Sequence, residues 1–142
     1  MANIFSGLFG NYSDVSIDDL KAKYGSYLMQ HETIQMGFKL VRDTFILTDE
    51  RLILIDHQGV TGSKTRVESI PLNSIYEVSL ETAGTGFDDS QLDIHYIKSP
   101  YFKSNNVQVA SHKFEFGKKF NVQPIYVALL TIANENHKRL NG

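Results

Sequence analysis

The stretch TFILTDERLILIDHQG, Thr44 to Gly59, reads as two short strands joined by the tight turn Asp49-Glu50. Nearly every strand position is apolar, although an antiparallel hairpin commonly keeps one polar face toward water. With a two-residue turn, Thr48 pairs with Arg51, Leu47 with Leu52, Ile46 with Ile53 and Phe45 with Leu54. Register then decides which residues share a face. One face collects Phe45, Leu47, Leu52 and Leu54; it has no polar member and is the better core candidate. The other collects Thr44, Ile46, Thr48, Arg51, Ile53 and Ile55. Burying one isoleucine is worth roughly 1.5–3 kcal/mol, so three wet ones would forgo several kcal/mol and leave an aggregation-prone patch. Two covers compete on equal terms, ahead of a different partner: the N-terminal segment carrying Ile4, Phe5, Leu8 and Phe9 of the same chain, or another copy of the protein. The second makes Ile46, Ile53, Ile55, Arg51 and Thr48 the candidate oligomer interface.

Outward from the hairpin the period stays at two. Ile34, Met36, Phe38 and Leu40 alternate with Thr33, Gln35, Gly37 and Lys39, which predicts a half-buried strand. Beyond the loop QGVTGS a strand runs near Lys64–Ile70, closed by the turn Pro71-Leu72-Asn73. Tyr76, Val78 and Leu80 share a face of the next strand, Leu92, Ile94 and Tyr96 line another, and a last strand covers 107–116. The ends are helical. Ser16 followed by Asp19 reads as an N-cap for a helix over 17–24, ended by Gly25, and residues 4–9 have helical spacing. At the C-terminus Asn121 is the expected N-cap, Pro124 sits where its missing N–H costs nothing, and Ile125, Ala128, Leu129, Ile132 and Ala133 form one apolar stripe. The expectation is a mainly β fold of about seven antiparallel strands. It comprises an N-terminal helical extension over 1–30, packed on a single structural unit over 31–142 that ends in a helix.

Composition sets limits on function. The 142 residues carry 42% hydrophobic and 21% charged side chains and a net charge of −2, ordinary for a globular domain and unsuited to non-specific nucleic-acid binding. No cysteine is present, which excludes disulfides, thiolate catalysis and Cys-based metal sites. A cysteine-free chain without a secretory signal pattern or a membrane-length apolar run points to the cytoplasm.

Chemistry-bearing motifs are lacking. His31, His57, His95, His112 and His137 show no metal-ligand spacing, and Asp88, Asp89 and Asp93 lack the order of a calcium loop. Gly84 and Gly86 match a phosphate loop only loosely, because no helix is expected to begin beside them, and neither Ser99 nor Ser111 has a base and acid at a favourable spacing. No catalytic residue, metal or cofactor is expected.

The run VRDTFILTDERLILIDHQGVTGSKTRVESIPLNSI, continued by ETAGTGFDDSQLDI, resembles the bacterial pleckstrin-homology (PH) domain family. The shared pattern is an R-D, a strand, T-x-x-R-L-I, an acidic residue, Q-G-x-T-G-x-K and S-I-P-x-x-S-I. It covers most of residues 1–97 and fades toward the C-terminus. The resemblance implies a PH-like barrel of two near-orthogonal antiparallel sheets closed by a C-terminal helix. It also implies homo-oligomerisation into a closed, pentameric ring, as characterised relatives form. The function it implies is a non-catalytic interaction or scaffold module, with an unidentified protein partner beside the copies of itself. The alternative is peripheral binding of anionic membrane lipid, through Phe5 and Phe9 or through basic residues near the first hairpin. Eukaryotic PH domains that bind phosphoinositides use clustered Lys and Arg there. The comparable candidates for an anionic ligand are Lys39, Arg42, Lys64 and Arg66, although alternation places Lys39 and Arg42 on opposite faces.

Overall fold

The register expected for Thr44–Gly59 is the register observed. β2 (Thr44–Thr48) and β3 (Arg51–Gln58) pair antiparallel, with Phe45 opposite Leu54 and Ile46 opposite Ile53. The structure, a computed structural model, describes residues 15–40, 43–58, 64–82, 90–117 and 120–142. The segment 4–9, Arg42, the glycines of QGVTGS, and Gly84, Gly86, Asp88 and Asp89 of ETAGTGFDDS lie outside the described residues. The chain divides into two compact units, Met1–Pro71 and Leu72–Gly142.

In the first unit α1 (Ile17–Tyr24) precedes β1 (Ile34–Lys39), β2, β3 and β4 (Lys64–Pro71), which form a sheet in sequence order. The apolar hairpin face is interior as expected: Phe45, Leu47 and Leu52 are 0% exposed and Leu54 is 4% exposed. Met36 and Ile70 continue that face at the level of Leu47 and Leu52.

The second face has a cover that belongs to the same chain. Ile46, Ile53 and Ile55 cluster with Ile34 and with Leu20 and Tyr24 of α1, while Val15, Leu28 and Val67 close the margin. The expectation that Ile46, Ile53, Ile55 and Thr48 meet a second copy is therefore corrected, since none of the four is more than 1% exposed. The helix earns its position from its sequence. Asp19 N–H donates to Ser16 Oγ at 3.1 Å, and Asp18 and Asp19 meet the positive end of the helix dipole. Leu20 and Tyr24, four residues apart, then lie on one face and reach the sheet. Gly37, opposite Ile46, makes that approach possible, because a Cβ there would overlap Leu20 Cδ1.

In the second unit β5 (Ile75–Glu81), β6 (Ser90–Ile97) and β7 (Val109–Phe116) form an antiparallel sheet, followed by α2 (Gln123–Asn141). Seven strands in two antiparallel sheets, a short N-terminal helix and a C-terminal helix are thus present among the described residues. The expected stripe of α2 is buried from Ile125 to Ala133 and extends to Asn136. The Asn136 amide donates to the carbonyls of Leu72 and Ile75, at 2.8 Å each, fastening the helix to the start of β5. Two details differ from the sequence reading. The N-cap of α2 is Val122, one position later than expected, and Asn121 Oδ1 accepts from Gln123 N–H from the position before the cap. In β5 an extra residue between Ile75 and Glu77 interrupts the alternation. Val78 keeps its inward place, whereas the Tyr76 ring meets His95 edge-on at 6.2 Å. No helix among the described residues is long and apolar enough to cross a membrane.

Candidate functional site

The T-x-x-R segment at the hairpin turn holds a buried ion pair. Asp-Glu is not a sequence that favours a two-residue hairpin turn by its own backbone preference, so side chains hold this one. Thr48 Oγ1 accepts from the N–H groups of Glu50 and Arg51 at 3.1 and 3.0 Å. Asp49 exchanges two hydrogen bonds with Thr33: its N–H donates to Thr33 O, and its carboxylate accepts from Thr33 N–H. Arg51 turns inward. Its Nε donates to Glu32 Oε2 at 2.9 Å and one terminal nitrogen donates to Glu32 Oε1 at 3.0 Å, a bidentate grip. The same guanidinium also donates to Tyr27 O and Ser69 Oγ. Glu32 completes its set with the Thr48 hydroxyl at 2.6 Å and Met29 N–H at 2.9 Å. It is delivered by a tight turn in which His31 adopts φ 68°, a left-handed conformation uncommon outside glycine. Arg51 and Thr48, expected at an oligomer interface, instead lock the segment after α1 onto the hairpin. Sequence reading passed over Glu32, because a lone carboxylate ahead of a strand carries no signal of its own.

Burial pushes the Glu32 carboxyl up, but the hydrogen bonds from Arg51, Thr48 and Met29 and the guanidinium charge outweigh it, leaving the group below its ordinary 4.5. A carboxylate more acidic in the folded chain stabilises the fold fully above its unfolded value and loses that contribution as pH falls through the folded one. Urea unfolding should therefore show the wild type and Glu32→Gln furthest apart near neutral pH. The two should converge below pH 4.5; parallel profiles down to the acid limit would show that Glu32 does not titrate as described.

Of the candidate anion-binding residues, the described ones, Lys39, Lys64 and Arg66, do not form one cluster. Lys39 is level with Thr44, Ile55 and Val67 across the four strands, on the face that carries Ile46 and Ile53. Arg66 opposes Asp56 and shares the other face with Lys64, on the far edge strand. Three strand spacings separate the edges by roughly 14 Å. Among the described residues no three His, Asp or Glu side chains group closely enough to hold a metal ion.

The second unit carries a different feature. Across the outer face of β5–β6–β7 the rungs are polar: Glu77 opposes His95, and Ser79 opposes Asp93, which opposes Lys113. One rung departs from this pattern. Ile97 opposes Val109, and Val109 is 56% exposed. With Tyr76, Phe102, Val107 and Leu140 this pair lines an open groove of about 640 Å³. Lys103, His137 and Asn141 supply its remaining polar groups, and no carboxylate is among the described residues that line it. His137 Nε2 lies 2.6 Å from Tyr76 O; since a carbonyl only accepts, Nε2 bears the hydrogen, and the ring is held at the groove wall. Sequence reading missed the site because its residues come from three strands, the 98–108 connection and the end of α2.

The model of the family "Bacterial PH domain" matches residues 3–133, a span running through both units. Uncharacterized protein YjqA of Bacillus subtilis (strain 168) is 47% identical over 88 residues, 62% of this chain and 70% of that protein. Among solved structures, the pleckstrin homology domain from Shewanella amazonensis SB2B is similar with TM-score 0.64 and 36% identity, over 89% of this chain and 94% of that one. A DUF1696 family protein with a pleckstrin-homology domain from Shewanella loihica PV-4 gives 0.62 and 30%, over 85% and 96%.

Proposed function

Since the chain belongs to the bacterial PH domain family, we propose that it is a non-catalytic interaction module that assembles with copies of itself into a closed ring in the cytoplasm. One observation carries this reading: α2 has apolar side chains on its outer side as well as its inner one. Val127 is 51% exposed and Leu130 is 41% exposed, three residues apart and so neighbours on the helix surface. A helix packed by one stripe normally turns polar residues to water, and a second apolar stripe calls for a partner. A patch of this kind meeting a different patch on the next copy closes into a ring when the rotation per copy allows it. The non-catalytic reading is supported by the use made of Glu32 and Arg51, whose hydrogen-bonding capacity goes to each other and to the hairpin turn.

Light scattering tests the reading. The wild type should have a mass several times 16.1 kDa at micromolar concentration, and Leu130→Asp should fall to 16.1 kDa with its circular dichroism unchanged. A monomeric wild type, or a variant that keeps the larger mass, would overturn it.

A further inference from the structure

The groove of the second unit has the make-up of a small-molecule site: its volume of about 640 Å³ lies within the usual range for ligand pockets, and it is mostly apolar with a few polar groups. Its occupant is indicated by what the wall offers and what it lacks. The apolar surface of Ile97, Val107 and Val109 interrupts an otherwise polar sheet face, and Phe102 and Leu140 continue it. Among the described residues, the ionisable groups of the wall are Lys103, His137 and the Tyr76 phenol, none of which brings the permanent negative charge of a carboxylate. An anionic head is therefore matched and a cationic one is not. An extended peptide would bring an N–H and a C=O for each residue, all needing partners. The polar side chains of the wall are too few to satisfy them, whereas an alkyl chain needs none.

We propose that the groove binds a single-chain fatty acid, its alkyl chain over Ile97, Val107 and Val109 and its carboxylate drawn to the Lys103 ammonium. This goes beyond self-association and is independent of it, because Val127 and Leu130 do not line the groove.

Titration calorimetry of the full chain with dodecanoate below its micelle concentration tests the proposal, with dodecyltrimethylammonium as the cation of equal chain length. Dodecanoate should bind saturably at one site per chain, and the cation should not. Val109→Asp and Lys103→Glu alter exposed side chains, so both should fold, and each should weaken binding about tenfold or more. Leu130→Asp, monomeric if the assembly reading holds, should bind dodecanoate like the wild type. Four results would each overturn the proposal: no saturable heat, equal binding of the cation, undiminished binding by both variants, or binding of an acidic apolar peptide in place of dodecanoate.

Discussion

Arg51→Ala lowers stability by about 3–5 kcal/mol, the usual consequence of removing one partner from a buried ion pair. The Glu32 side chain is 0% exposed, so it cannot recover by hydration what the guanidinium supplied. Three acceptors lose donors at once: the Glu32 carboxylate, Tyr27 O and Ser69 Oγ. Because the first two belong to the segment between α1 and β1, the loss acts on the helix that covers the isoleucines. A chain of this length should lose about 10 °C or more in melting temperature. The pair Glu32→Leu with Arg51→Met removes both charges together and should restore most of that loss, as apolar replacement of whole buried pairs often does. Urea unfolding of the single and double variants measures both effects. A single variant within about 1 kcal/mol of wild type would mean the pair is dispensable, as exposed ion pairs are.

Ile53→Asp should abolish cooperative folding. Ile53 is 1% exposed and lies among Ile46, Ile55, Leu20 and Tyr24, and the Arg51 guanidinium on the same face is already held by Glu32. An unpaired carboxylate there costs more than about 4–5 kcal/mol, a large part of the total of roughly 5–15 kcal/mol that a domain possesses. Leu130→Asp is the informative contrast: the same chemistry on an exposed helix position should leave the fold intact. A folded, monomeric Ile53→Asp protein would show instead that this hairpin face meets another copy.

The hairpin is legible in detail because a two-residue turn and side-chain alternation together fix a register. The division into two faces from Phe45 to Ile55 follows from that register alone, and the Ser16 cap of α1 is equally readable. The identity of the cover is not. The segment 4–9 and a second copy are both apolar, and apolarity does not distinguish them from Leu20 and Tyr24, whose amphipathic spacing is spread over a short, highly charged helix. Gly37 holds the missing information, since a glycine within an apolar strand marks a close approach. Arg51 is misplaced by sequence reading for a related reason. A charged residue beside a turn normally points to water, and only the fold brings Glu32 to it across nineteen positions of sequence. The groove is the least legible feature, because Ile97 and Val109 each look like ordinary strand-end residues until their pairing puts them on one rung.

Isotope-filtered methyl spectroscopy on an assembly mixed from labelled and unlabelled chains tests most directly whether α1 seals the isoleucine face of its own chain. Cross-peaks from the Leu20 methyls to those of Ile46 and Ile53 should appear within uniformly labelled chains and vanish when only contacts between chains are selected. Cross-peaks that persist under that selection would place a neighbouring molecule's helix on the hairpin and contradict the intrachain core.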